Sequence, residues 1–288
     1  MGWLRRLQKG AAPAGTAEPD AGRLGVIAGS GALPVKLAAA DPGAFVASFE
    51  GVACDLPEER LTRFRYEKLG SLFSAMKAEG VTRVVMAGAL SRPQIDPKQL
   101  DLTMLRLAPR IMTALSGAGD DGLLRLVISI VEEQGFQVLG AHEILPELTA
   151  RPGLLAGPAL HGQALADKAR AKEILGGLAP LDIGQGCVVA GGLCLGIETV
   201  QGTDALLRYV AQTPDRLRRA PGVFCKLPKA GQDLRVDMPT IGPDTLRAVA
   251  AAGIGAIVIA ADKVLLMEAE TLPDLARELG ISILAEEL

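Results

Sequence analysis

An α/β fold divided into two units is predicted for this chain by three observations. At 288 residues it exceeds one ordinary compact core and suits two domains of roughly 100–150 residues each. Its hydrophobic fraction of 49% includes only 3% aromatic residues, so the cores are expected to be Val, Ile and Leu strands packed under Ala-rich helices. Short apolar runs alternate with helix-length segments from Arg23 onward, the order a parallel sheet requires. The expected division is a tail over 1–22, a first domain over 23–150 and a second over 151–288.

Arg23-Leu-Gly-Val-Ile-Ala28 reads as a buried strand, and Gly29-Ser-Gly-Ala-Leu-Pro34 turns it into a helix carrying Val35, Leu37 and Ala38. Backbone N–H groups at such a helix start attract anions, and glycine admits a phosphate or sugar close to the main chain. Gly29, Ser30, Gly31 and Ala32 are therefore candidate binding residues, although a turn serving topology alone would use the same run. Pro34 stands where the dinucleotide fingerprint G-x-G-x-x-G needs its third glycine, while Glu50 lies near the distance of a ribose-binding acid. A strand at Phe45–Phe49, a helix over Ser71–Glu79 ending at Gly80 and a strand at Arg83–Ala87 continue the alternation. A Rossmann-like first domain follows. The loop Gly88–Pro93 places Ser91 and Arg92 at the carboxyl edge where ligands of open α/β sheets collect, so Arg92 is a candidate substrate contact as well as a plausible surface residue. Asp120 or Asp121 is placed to cap a helix over Leu123–Val131, and Asp121 is also a candidate ligand contact. Gln137–His142 reads as a strand with His142 at its end.

Pro146–Pro158, with its Pro and Gly, is the expected linker. A helix over Gln163–Leu175 leads to Asp182-Ile-Gly-Gln-Gly186, and the runs Cys187–Ala190 and Leu193–Ile197, joined by Gly191-Gly192, are expected to form a buried β-hairpin. Its exit delivers Glu198 and then Gln201-Gly-Thr-Asp204 at a helix start. Thr203 and Asp204 suit an N-cap, and with Gln185 and Glu198 they also make a polar cluster at the hairpin ends. Val223–Leu227 is an apolar strand feeding a long loop that ends at Gly242. Helix Pro243–Ala252, strands near Ala256–Ile259 and Val264–Met267, and helix Leu272–Leu279 follow.

The late loop carries the densest chemistry in the chain. Lys226, Lys229 and Arg235 are cations able to hold phosphate oxygens, and they stand beside Asp233 and Asp237, carboxylates able to hold a hard divalent cation or a water. A solvated surface loop is the competing reading, and the apolar strand that feeds the segment weighs against it.

Net charge of -3 with two Tyr and one Trp argues against nucleic acid as a partner. Cys54, Cys187, Cys194 and Cys225 include no C-x-x-C pair, and with only His142 and His161 a His/Cys zinc site is not expected. Reduced cytoplasmic thiols fit this usage. The longest uncharged run, Ala248–Ala261, is interrupted by Gly253 and Gly255 and falls short of the ~18–20 apolar residues that span a bilayer. The cationic start with Trp3, Leu4 and Leu7 is either a floppy tail or a point of contact with an anionic membrane surface.

Six segments together resemble a known family: Ile27–Pro34, Gly119-Asp-Asp121, Gly140-Ala-His-Glu143, Asp182–Gly186, Glu198 through Asp204, and Arg235-Val-Asp-Met-Pro-Thr-Ile-Gly242. In order and spacing, from Arg23 to the carboxyl end, they resemble the LpxI-type UDP-2,3-diacylglucosamine pyrophosphatases of lipid A biosynthesis. Ser30 and Ala89-Leu90 depart from the commoner family residues. The resemblance implies magnesium-dependent hydrolysis of UDP-2,3-diacylglucosamine to 2,3-diacylglucosamine 1-phosphate and UMP between a Rossmann-like domain and a distinct α/β second domain. The family's essential aspartate, in Arg-Val-Asp-x-Pro, falls on Asp237. Asp237 is then expected as Mg²⁺ ligand or water-orienting base, with Asp233, Glu198 and Asp204 completing the metal shell and Lys226, Lys229 and Arg235 on the phosphates. Gly29, Ser30, Gly31, Ala32, Arg92, Asp121, Gln185 and Thr203 are the remaining expected substrate contacts, and acyl chains are expected in an aliphatic channel. A nucleotide-sugar lipid is the expected partner, with contact at the inner membrane surface and a homodimer as further expectations. A non-catalytic nucleotide-sugar-binding regulator would share this fold but have dispensable carboxylates in the late loop. An NAD-dependent oxidoreductase would rest on Gly29, Gly31 and Glu50 alone, and Pro34 counts against it.

Overall fold

The computed structural model describes residues 22–90, 95–117 and 120–288, with the side chains of 115–117, 120, 121 and 215 outside that description. The amino-terminal expectations on 1–21 and those on Ser91 and Arg92 therefore lie outside the described residues.

Parallel strands β1 (Arg23–Ala28), β2 (Phe45–Phe49), β3 (Thr62–Phe64), β4 (Val81–Ala87) and β5 (Gln137–Leu139) form one sheet in the order β3-β2-β1-β4-β5. Helices α1 (Ala32–Ala40), α2 (Leu69–Ala78), α3 (Leu102–Gly117), α4 (Asp120–Glu133) and α5 (Ala141–Ile144) belong to this half. Side chains from α2 and α4, among them Leu72, Phe73, Met76, Ile128 and Val131, join one buried cluster, and Leu37 of α1 joins another with Leu24, Val26, Val46 and Val85. Covering both faces explains why β1 and β2 read as continuous apolar runs rather than alternating ones. The strand expected over Gln137–His142 stops at Leu139 because Gly140 starts α5, which places His142 on a helix rather than at a strand end. Helix α3 had no counterpart in the sequence reading. It contains Pro109, and Leu102 and Leu105 face solvent, so its apolar residues do not mark a single stripe.

The second sheet is mixed. Its elements are β6 (Gly153–Ala156), α6 (Gln163–Leu178), β7 (Gly186–Ala190), β8 (Leu193–Ile197), α7 (Gly202–Ala211), β9 (Val223–Lys226), β10 (Thr240–Ile241), α8 (Pro243–Ala251), β11 (Ala256–Ala260), β12 (Leu265–Leu266), α9 (Leu272–Leu279) and β13 (Ser282–Glu286). The strand order is β6-β13-β11-β9-β7-β8, while β10 and β12 pair separately. Two expectations are corrected here. Pro146–Pro158 is not simply a linker, since β6 within it pairs antiparallel with β13. The hairpin is buried on one strand only: β7 is wholly buried, whereas β8 is the sheet's edge, with Leu193 and Cys194 exposed. All four cysteines are free thiols. No helix among the described residues is long and apolar enough to cross a membrane.

The hairpin turn is held from α6. Fully buried Asp167 accepts hydrogen bonds from the backbone N–H of Gly191 (2.9 Å) and Gly192 (2.7 Å) and from Gln163 Nε2 (2.9 Å). Both glycines adopt positive φ, at 58° and 79°, so their N–H groups converge on the carboxylate. Asp167→Ala is expected to lower unfolding free energy by about 1–3 kcal/mol in urea denaturation, the cost of stranding buried donors. An unchanged midpoint would show that water replaces the carboxylate.

Candidate active site

The carboxyl edge of the first sheet is where the two halves meet. Val236 packs against the cluster that holds Phe73 and Ile128, and Met238 and Leu265 pack against the cluster that holds Leu37 and Val85. Between them lies a cleft of about 1100 Å³. One wall is apolar, with Leu69, Leu72, Met86, Met104, Leu126 and Val127. Ser30, Gly31, Ala32, Gly88 and Ala89 line it from the sheet edge, and Arg235, Asp237 and Thr240 line it from the late loop.

Close approach of two loops shapes the glycine side. Gly29 N–H donates to Ala87 O (2.7 Å), and Ser30 and Ala89 exchange backbone hydrogen bonds of 3.0 Å in both directions. A Cβ on Gly29 would meet Ala89 O at 2.4 Å, and one on Gly88, itself at φ 86°, would meet Ser30 O at 2.5 Å. Gly29 and Ser30 therefore spend their N–H groups on the neighbouring strand's exit. Gly31 caps α1 with no side-chain bond, so no capping side chain covers the backbone N–H groups at the helix start, which borders the cleft.

The late loop leaves β9 beside a buried ion pair. Lys226 Nζ donates to Glu198 Oε1 (2.9 Å) and Oε2 (2.7 Å) and to Thr203 Oγ1 (2.6 Å), and Thr203 donates in turn to Glu198 Oε1 (3.1 Å). The Gln185 carbonyl receives the N–H of Leu227 (2.8 Å). Further on, Lys229 Nζ pairs with Asp182 Oδ1 (2.7 Å). Residues 233–237 form one turn, in which Asp237 N–H donates to Asp233 O (3.2 Å). Arg235 grips the Asp233 carboxylate through Nε (3.0 Å) and Nη2 (2.7 Å) and reaches Glu132 Oε1 on α4 through Nη1 (2.7 Å). These bonds hold Asp233 below the usual carboxylate range and push Arg235 up. Gln232 Nε2 donates to Asp237 Oδ2, and no acceptor bond to Oδ1 occurs among the described residues.

The structure thus brings Ser30, Gly31 and Ala32 to one cleft with Arg235 and Asp237, and it leaves Gln185, Glu198, Thr203, Asp204 and Lys226 outside the lining. Lys229 lines a neighbouring pocket of about 370 Å³. The expected four-carboxylate metal shell is not assembled, because Glu198 is committed to Lys226, Asp233 to Arg235, and Asp204 is exposed in the first turn of α7. Among the described residues, no three His, Cys, Asp or Glu side chains form a metal-ligand group. The three expected phosphate cations are each paired with a carboxylate, though Arg235 uses three of the five N–H bonds a guanidinium offers. Arg92, and the side chain of Asp121, lie outside the described residues. Two partners were missed by sequence reasoning. Gln232 was visible in the loop but had no role, and Glu132, 103 residues from Arg235, offered no local signal.

Residues 23–148 match the family model described as the LpxI N-terminal domain, and residues 151–284 match the LpxI C-terminal domain. The chain belongs to the LpxI family. A relative from Caulobacter vibrioides, named UDP-2,3-diacylglucosamine pyrophosphatase LpxI, is 38% identical over 271 residues, covering 91% of this chain and 96% of that protein. Membership in the LpxI family is consistent with the α/β architecture seen here, a parallel five-stranded sheet followed by a mixed six-stranded one.

Proposed function

We propose that the cleft binds UDP-2,3-diacylglucosamine and that Asp237 is the centre of its hydrolysis. The chain cleaves the pyrophosphate of this substrate in lipid A biosynthesis, water adding across the P–O–P bridge to give UMP and 2,3-diacylglucosamine 1-phosphate. The carrying observation is one cleft that joins an apolar wall, suited to two acyl chains, to a carboxylate at its polar edge.

A pyrophosphate diester resists water because its anionic oxygens repel a nucleophile, so catalysis consists of neutralising charge and placing a water. Backbone N–H groups at the start of α1 would face the phosphates, and the remaining N–H bonds of Arg235 would add charge-assisted contacts. Asp237, with Oδ2 fixed by Gln232, presents Oδ1 to orient the attacking water and take its proton. With substrate seated, the apolar walls would limit bulk water at the reacting bond.

Magnesium is part of this proposal. Asp237, the one carboxylate at the cleft's polar edge among the described residues, suits a cation that the substrate would complete, since Mg²⁺ needs only one or two carboxylates and keeps several waters. Asp237 would hold it. When bound, Mg²⁺ neutralises charge on the pyrophosphate oxygens. Turnover of UDP-2,3-diacylglucosamine is expected to fall at least about tenfold in excess EDTA and to return on adding Mg²⁺. Full activity in EDTA would remove the metal, and no UMP release in either condition would remove the substrate assignment. The proposal includes a cytoplasmic site of action at the inner membrane surface, where a diacylated substrate would be met.

A further inference from the structure

We propose that Glu132 of α4 is a positioning residue for the reaction, acting across the junction between the two halves by holding the turn that presents Asp237. This rests on the catalytic reading of Asp237 given above. The segment 231–237, which contains this turn, belongs to the second half of the chain, yet three contacts seat it on the first. Glu132 Oε1 accepts from Arg235 Nη1 (2.7 Å), Arg125 Nη2 donates to Gly231 O (2.6 Å), and Val236 packs among the residues under α2 and α4.

The path from Glu132 to the carboxylate is short, one ion pair followed by two residues of backbone. Arg235 bridges two carboxylates, Glu132 on α4 and Asp233 on its own loop, so its guanidinium plane is fixed from both sides. Asp233 in turn closes the backbone of the turn through its carbonyl, which accepts from the N–H of Asp237. Removing the charge at position 132 leaves only a weaker hydrogen bond to a neutral acceptor on that edge of Arg235 and loosens the turn relative to the glycine loop across the cleft. A displacement of about 1 Å between a catalytic group and its substrate can cost up to a hundredfold in rate. Side-chain exposures of 34% for Arg235 and 44% for Glu132 leave the pair accessible to water, so the clasp it forms between the two halves is modest in energy and screened by salt.

Glu132→Gln keeps the length of the side chain and alters none of the residues placed on the substrate, acting on them only through its contact with Arg235. Its expected effects are a fall in kcat of about tenfold with KM changed by less than about twofold, and severalfold faster amide hydrogen exchange across 231–237 without substrate. Glu132→Asp, which keeps the charge, is expected to recover a large part of kcat. Exchange across 231–237 at the wild-type rate in Glu132→Gln overturns the clasp whatever the activity, and wild-type kcat with faster exchange overturns the positioning role. The exchange measurement needs no turnover. If the wild-type chain fails to hydrolyse UDP-2,3-diacylglucosamine, the catalytic reading falls while the clasp is still judged by exchange.

Discussion

Asp237→Asn is expected to leave a folded protein that binds substrate and turns it over roughly a hundredfold more slowly or worse, the scale of losing a general base or a transition-state charge partner. The amide is nearly isosteric, and its oxygen can still accept from Gln232, so the geometry of the turn survives. It cannot take a proton from water at neutral pH and is a poor Mg²⁺ ligand, so both functions assigned to the carboxylate fail together. Asp233→Asn should cost less, because Asp233 faces Arg235 rather than the cleft. Measuring kcat and thermal unfolding on the same preparation checks the expectation. Near-normal turnover by a folded Asp237→Asn variant would move the catalytic centre elsewhere.

Lys226→Met is expected to produce the largest loss of stability of any single change near the site. Lys226 and Glu198 are 5% and 12% exposed at the side chain, and the variant would leave a carboxylate in that setting with only Thr203 as a neutral partner. Breaking a buried pair from one side costs about 3–5 kcal/mol, which lowers the melting temperature by roughly ten degrees in a protein of this size. Replacing both members, as Lys226→Met with Glu198→Leu, should recover most of that loss, because two apolar side chains no longer need each other. Lys226 as a phosphate ligand makes the opposite forecast: loss of activity in both variants with melting temperatures near wild type.

Strands β1, β2 and β4 and the glycine turn were legible from local signals, apolar runs of strand length and glycine, whereas the short β3, Thr62-Arg-Phe64, carries no apolar run and went unread. The same logic misread β8, whose Leu193-Cys-Leu-Gly-Ile197 looks as apolar as a central strand. It lies at the edge because pairing partners are chosen by the whole fold, and its small Gly196 lets Leu206 of α7 lie over it. Segment Pro146–Pro158 gave no hint of β6, since a strand of Gly153–Ala156 acquires its identity only from β13 at the far end of the chain. At the site, the chemical types in the late loop were readable but their commitments were not. Lys226 and Glu198 stand 28 residues apart and Glu132 and Arg235 stand 103 apart, and the ion pairs that decide which charges remain available form only when the sheets are assembled.

Synthesis from the amino terminus gives the composite cleft a temporal order. The last strand of the first sheet is β5, ending at Leu139, whereas Val236, Met238 and Leu265, which cover the cleft from the other side, come much later in the chain. At ordinary elongation rates, the roughly one hundred intervening residues take about 5–20 s to emerge from the ribosome. Throughout that interval the apolar wall that includes Leu69, Leu126 and Val127 lacks the cover of Val236, Met238 and Leu265. A nascent polypeptide stalled there offers a holdase a binding surface, and an expressed fragment ending before β9 should need detergent or a lipid to stay dispersed.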